Sequence, residues 1–341
     1  MADLPQPYLL FVGDVAERGF AKTALGLRDW ARDKCVGEFA ITGDAVATGL
    51  PRLTPAAAVA AEARSLVIGV ANRGGIIAES WIPALVEGIE AGLDIVSGLH
   101  VKLSAVPALA EAAQRCGRRL IDIRMPPAEI PVATGRKRSG RRLLTVGTDC
   151  ALGKKYTALA IARAFVARSV AADFRATGQT GIMIAGSGLP IDATICDFTA
   201  GAAEMLSPDA PPDHWDVVEG QGSLFHPSYA GVSLALLHGS QPDVFVVCHQ
   251  PGREQMLGSA GFVVPDVQAV IDLTITLGSR TNPAIRCAGA SYNTAHLDED
   301  DADALMARDS GRLGLPVADP IRGGERFERL VEACLAAGAS A

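Results

Sequence analysis

No two cysteines in this chain are spaced as C-x-x-C, and none joins a histidine in a zinc-type cluster. All seven (Cys35, Cys116, Cys150, Cys196, Cys248, Cys287 and Cys334) lie scattered along 341 residues. That argues against a disulfide framework or a structural zinc module and reads as reduced thiols in a cytoplasmic protein. No apolar stretch approaches the roughly 18 residues a membrane span needs. The opening segment lacks a basic region ahead of its short apolar run and is not read as a secretory signal. Basic charge is in deficit, with a net charge of -7 and a pI near 5.4, which argues against nucleic acid as a partner. A G-x-G-x-x-G fingerprint is also missing, so the case for dinucleotide binding is weak. What remains is a small-molecule partner, with neither nucleic acid nor membrane expected.

The composition that is present, 49% hydrophobic and 20% charged, is that of a soluble globular chain with a large core. Its length allows about two domains. Short apolar runs alternate with Ala-rich segments of helical period, the pattern of an α/β protein whose parallel sheet is covered by crossover helices. Strands are expected at 9–12, 39–42, 66–70, 94–97 and 120–123, and a helix begins at Thr54-Pro55, an N-cap followed by proline at the first helical position. At 125–140 three prolines precede a basic, Gly-containing run, which reads as an interdomain linker. Arg136, Lys137, Arg138, Arg141 and Arg142 are taken as a solvated strip, with a phosphate-attracting patch as the other reading. Alternation then restarts, with strands expected at 143–146, 174–176, 182–185, 217–219, 244–247, 285–288 and 316–318. The division expected is domain 1–128, linker 129–141 and domain 142–341.

The most informative segment is Leu143-Leu-Thr-Val-Gly-Thr-Asp-Cys-Ala-Leu-Gly-Lys-Lys-Tyr-Thr157, an apolar strand, a loop bounded by Gly147 and Gly153, and a helix opening at Lys154. Successive backbone N–H groups and a helix N-terminus cradle an anion there, and the lysine adds a point charge. Gly147, Thr148, Cys150, Gly153, Lys154, Lys155 and Thr157 are the expected phosphate-binding set. Five residues rather than four separate the two glycines, and Lys155 stands where a Ser or Thr would hold magnesium. The longer loop resembles that of dethiobiotin synthetase-like P-loop proteins. With the hydroxyl displaced, no metal is expected, and the extra lysine suits a phosphate ligand held without one.

Taken with Thr177-Gly-Gln-Thr-Gly181, Val218-Glu-Gly-Gln-Gly-Ser223 and Gly314-Leu-Pro-Val-Ala-Asp-Pro-Ile-Arg322, this loop resembles a two-domain family first described as a domain of unknown function. In the N-terminal half the same resemblance runs through Ala21–Leu27, Arg73–Gly75 and Ser97–His100, so it covers nearly the whole chain. It implies a Rossmann-like N-terminal domain and a P-loop NTPase-like C-terminal domain. Characterised members are D-glutamate N-acetyltransferases, which implies transfer of acetyl from acetyl-CoA to the amine of D-glutamate in D-amino-acid catabolism. Two other readings stay open: a magnesium- and ATP-dependent ligase of dethiobiotin synthetase type, and a non-catalytic nucleotide-binding module.

Acetyl transfer to an amine needs a proton acceptor, donors for the oxyanion, and cations for the substrate carboxylates. Glu219, at the end of an apolar strand, is the first choice of base; in dethiobiotin synthetase-like proteins the matching glutamate approaches metal and phosphates. A supporting contact to the loop lysine is its other reading. His226 is the second base candidate, and His249 follows a strand that ends at the same edge. Asp149 either caps the loop or orients the amine. Cys150, near a helix N-terminus and Lys154, has the surroundings that lower a thiol pKa and invites a covalent acetyl-enzyme. Thr177, Gln179, Thr180, Arg253, Arg73 and His100 are candidate substrate contacts, and Asn293 a candidate for the adenine edge. A homo-oligomer is the base-rate expectation for a soluble enzyme.

Overall fold

The computed structural model describes residues 4–339, the side chains of Arg73 and Ala339 excepted. The chain divides into two compact units. One holds the residues up to Pro126 together with Gln179–Ala193; the other holds Pro127–Gly178 and Thr194 onward.

The first unit is built on a five-stranded parallel sheet of β1 (Tyr8–Gly13), β2 (Cys35–Ala40), β3 (Ser65–Ile68), β4 (Asp94–Ser97) and β5 (Leu120–Asp122), in the order β2-β1-β3-β4-β5. Every residue of β1, β3 and β4 is buried, which is why they read as unbroken apolar runs rather than alternating ones. Leu9, Phe11, Leu66, Ile68, Trp81, Leu85 and Ile95 form the core beneath the covering helices. Helix Pro55–Ala60 starts as the sequence predicts, with the Thr54 hydroxyl accepting from the Ala57 N–H at 3.2 Å.

Residues 182–185 are not a strand. They lie in helix Gln179–Ala185, whose residues from Thr180 to Ile184 are all buried in the first unit. A seven-residue helix covered all round shows no 3.6-residue period, and its apolar run is indistinguishable from a buried strand. Its tie to the N-terminal sheet is tight. Gly98 has no room for a side chain, since a Cβ there would lie 1.8 Å from Gln179 Oε1.

The second unit carries a six-stranded parallel sheet of β6 (Arg141–Gly147), β7 (Ala172–Arg175), β8 (Trp215–Val218), β9 (Val244–His249), β10 (Arg286–Tyr292) and β11 (Val317–Ala318). Their order is β11-β10-β9-β6-β8-β7. Strand β6 is therefore central, and its C-terminal end delivers Gly147 to the crevice edge where α/β sites lie.

The basic run around the start of β6 is divided: Arg136 and Lys137 are exposed, as a solvated strip would be, whereas Arg138 and Arg142 are buried. Arg142 is fully buried. It donates to Ser207 Oγ (2.7 Å) and to the carbonyls of Arg138 (3.0 Å), Ser139 (2.9 Å) and Pro208 (2.9 Å). Arg138, also buried, donates to the carbonyls of Ser207 and Gly239, both at 2.7 Å. Lys137 pairs with Asp243 at 2.7 Å and Arg136 with Asp209 at 2.5 Å. A guanidinium carries five donors in a fixed fork and can be buried where carbonyls converge on it.

Candidate active site

The phosphate loop is braced from inside. After Gly147, Thr148 donates its N–H to Cys248 O (3.1 Å), and its hydroxyl meets His249 Nδ1 at 3.0 Å. Ala151 and Gly153 take left-handed backbone angles (φ 53° and 102°) that turn the chain back into helix Lys154–Ala167. That helix has no side-chain cap and no acidic residue in its first turn. Its unsatisfied N–H groups and dipole therefore favour an anion.

Asp149 is wholly buried. Its Oδ1 accepts from Cys150 N (2.6 Å), and its Oδ2 accepts from Arg253 (2.9 Å) and Leu257 N (2.8 Å). Of the two sequence readings, the geometry is that of the cap. Arg253 also donates to Cys150 O (2.8 Å) and Gln250 Oε1 (2.5 Å). Its guanidinium thus braces the loop, and its side chain is 17% exposed. Lys154 is buried, and its ammonium donates to Asp149 O at 2.8 Å; burial holds its pKa below the ordinary lysine value. Lys155 lays its ammonium 4.7 Å over the Tyr156 ring.

Two expectations for the loop change. The Cys150 thiol is pushed up by burial, more than Lys154 draws it down, so the environment does not favour a thiolate nucleophile. Thr157, expected among the phosphate ligands, turns into the layer beneath the loop. Its hydroxyl meets Ser291 Oγ at 2.7 Å and Gly153 O at 3.2 Å and accepts from the Cys248 thiol at 3.4 Å. Ser291 and Cys248 lie on the sheet, and within the loop the hydroxyl reaches only Gly153 O among the described residues. The uncapped helix N-terminus and Lys154 fit an anion.

Next to the loop, Glu219 follows β8 and is buried. Its Oε2 accepts from Thr177 N (3.0 Å) and Gly178 N (3.1 Å), while its own carbonyl accepts from the Thr177 hydroxyl (2.7 Å). Gln221 donates to the same hydroxyl at 2.9 Å, a contact sequence reasoning missed although Gln221 lay inside the quoted motif. Only glycine fits between Glu219 and Gln221, because a Cβ on Gly220 would meet Thr145 O at 1.6 Å. The structure separates the expected trio. Thr177 stays with Glu219, whereas Gln179 and Thr180 belong to the first unit. There Thr180 bonds Thr23 (3.0 Å) and the Gln179 amide lies between Gly98 O and Arg124. Thr180 is buried in that pairing, and Gln179 is half-buried.

His226 is buried, its Nδ1 accepting from Ser228 N at 3.1 Å. Asn293 folds into a turn in which its Oδ1 accepts from Ala295 N at 3.2 Å. His100 is exposed, and its N–H donates to Gly75 O at 2.9 Å. Arg73 lies in the short turn Arg73–Gly75, and its side chain is outside the described set.

His249 was named in the sequence only as a strand-end histidine. Burial lowers its pKa from 6.5 to about 4, so the native state holds it neutral against the loop. Because the folded value lies below the unfolded one, its contribution to stability is complete above about pH 6.5 and fades as pH falls toward 4. Between pH 7 and 4.5 the loss is expected to be about 2 kcal/mol. Urea titrations of the parent and His249→Gln at both pH values check this; equal pH slopes for the two proteins would contradict it.

A helix-opening lysine loop on the central strand of a parallel sheet, beside a second parallel α/β unit, defines a P-loop protein with a Rossmann-like partner unit. The chain belongs to the DUF1611 family. The model described as "Domain of unknown function (DUF1611_C) P-loop domain" matches residues 131–331, and the DUF1611_N Rossmann-like domain matches residues 34–126. It is 49% identical to a D-glutamate N-acetyltransferase of Tritonibacter scottomollicae, covering 97% of this chain and 98% of the relative. It is 46% identical to a D-glutamate N-acetyltransferase of a Pseudoalteromonas species, covering 93% and 96% respectively. A crystal structure of a DUF1611 family protein from Anabaena variabilis has the same fold, with a TM-score of 0.86 and 32% identity over 97% of this chain and all of that one.

Proposed function

We propose that this chain is a D-glutamate N-acetyltransferase and that acetyl-CoA is its acyl donor. The observation that carries the reading is near-half identity, across almost the full length, to two enzymes of that name. The site supports the choice of donor. An uncapped helix N-terminus with Lys154 suits the diphosphate of CoA, and the turning of Thr157 into the sheet weighs against magnesium-ATP chemistry.

In the reaction the substrate amine attacks the thioester carbonyl, the C–S bond breaks with CoA leaving as its thiolate, and the proton lost from nitrogen passes to a base and from there to the thiolate sulfur. Glu219 takes that proton in this reading. Its carboxylate is fixed by the N–H groups of Thr177 and Gly178, and Gln at the same place keeps an oxygen for them. In this reading Asn293 serves the adenine edge, and Arg253 is a candidate for a substrate carboxylate.

Thiol release from acetyl-CoA, followed with D-glutamate, L-glutamate or no acceptor and with product mass checked, tests the function. Release is expected to require D-glutamate and to yield an acetylated product. Hydrolysis of ATP with magnesium and no thiol release would favour the ligase reading. In the same assay Glu219→Gln is expected to lower kcat by about 100-fold with CoA affinity within about twofold. A near-normal rate would leave Glu219 only its contacts to residues 177–178.

A further inference from the structure

Among the described residues, one buried side chain beside the phosphate loop has an atom left over. His226 Nε2 is fully enclosed and makes no hydrogen bond. It stands 3.9 Å from Asp149 Oδ1, too far to bond, and that oxygen already accepts from Cys150 N. The other ring nitrogen decides what Nε2 can do. Nδ1 accepts the Ser228 N–H at 3.1 Å, just after Pro227. A neutral imidazole with Nδ1 as acceptor carries its proton on Nε2. The ring is held in this orientation by Tyr229, 4.6 Å away centroid to centroid at an interplanar angle of 34°, and by the turn in which His226 N donates to Ser223 O at 3.0 Å. The fold thus presents an N–H, not a lone pair, to the loop.

That polarity separates two ligand classes. A ring nitrogen of His226, a carboxylate oxygen of Asp149 and the Cys150 sulfur lie within 4.8 Å of one another, a donor spacing that a metal ion would also fit. A metal needs the Nε2 lone pair, however, and the tautomer that offers it would set an Nδ1–H against the Ser228 N–H. The Cys150 thiol, pushed up by burial, is also a reluctant ligand. An anion needs the reverse, a donor.

We propose that His226 is a positioning residue that donates Nε2–H to a phosphate oxygen of the ligand held by the loop, and that it is not the proton acceptor of the reaction. The proposal rests on the reading that the loop holds the CoA phosphates. It assigns His226 a role different from the base considered from sequence.

Two substitutions separate the ring nitrogens. His226→Gln places an amide N–H near the Nε2 position, whereas His226→Asn keeps an acceptor for Ser228 and has nothing at the far end. Their kcat/KM is compared on acetyl-CoA and on S-acetylpantetheine, which keeps the thioester but has no phosphate. On acetyl-CoA we expect Asn to lose about tenfold, chiefly through KM, and Gln to stay within about threefold of the parent. On S-acetylpantetheine both are expected to match the parent. Equal losses on both donors, carried by kcat, would overturn the proposal and return His226 to the chemistry. Long-range ¹H–¹⁵N correlation spectra of the unsubstituted protein give an answer even if neither variant folds, since a protonated Nδ1 contradicts the proposal and a protonated Nε2 supports it. Lys154→Ala tells the two readings apart. If it leaves CoA affinity unchanged, the loop reading has failed; if it weakens CoA while His226→Asn does not, only the role of His226 has.

Discussion

Replacing Lys154 by Ala is expected to weaken CoA binding by about 100-fold while leaving the urea midpoint of unfolding at or above that of the parent. The affinity term follows from the chemistry of the site. A buried ammonium bonding a phosphate forms a charge-assisted contact of roughly 1.5–3 kcal/mol, and the shielding that buries Lys154 keeps water from replacing it. The stability term has the opposite sign. Without ligand, the Lys154 ammonium answers only to Asp149 O among the contacts described for it, and burial holds its pKa down, which is the mark of a charge the native state pays to enclose. Lys154→Met, closer in volume, separates lost charge from lost packing. Calorimetric titration with CoA and urea unfolding together decide the matter; affinity within a factor of three of the parent would remove the loop from the donor site.

The second large effect is expected far from the chemistry. Arg142→Met is expected to cost about 3–5 kcal/mol of stability, read as a fall in the urea midpoint, because it strips the donors from Ser207 Oγ and the carbonyls of Arg138, Ser139 and Pro208 at once. Methionine fills the volume but satisfies none of them, and buried acceptors left unpaired carry their full desolvation cost. Arg142→Lys is expected to fare little better, since one ammonium cannot reproduce a planar fork. A change below 1 kcal/mol for Met would mean that burying the guanidinium costs nearly as much as its bonds return.

These two residues also mark where sequence was legible and where it was not. The phosphate loop was readable because its signals are local: an apolar strand, two bounding glycines, a lysine and a helix within fifteen positions. What braces it was not, because Arg253 and Leu257 reach Asp149 from 104 and 108 residues away and nothing in the loop announces them. Thr157 was misread for a related reason. Its place in the motif says phosphate, while its partners Ser291 and Cys248 lie on strands distant in sequence. The alternation of strands and helices showed both sheets because strands buried on both faces are apolar throughout, yet the same property made the short helix Gln179–Ala185 look like a strand. Arg142 was read as solvated because charge usually is.

The helix Gln179–Ala185 has an evolutionary consequence. It is encoded within the P-loop half of the sequence, inside the span 131–331 that matches the P-loop family model, yet it completes the N-terminal fold. Thr180 bonds Thr23, Met183 O accepts from Tyr8, Ile184 O accepts from Lys34, and Gln179 needs glycine at position 98. The N-terminal unit is therefore incomplete without a segment from the other half of the sequence, residues 179–193. A chimera joining the N-terminal half of one family member to the P-loop half of another would import a foreign helix into its own N-terminal core. Thr23 meets Thr180 through its side chain and Gly98 lies against Gln179, so exchanging one half alone would change one partner of each pair.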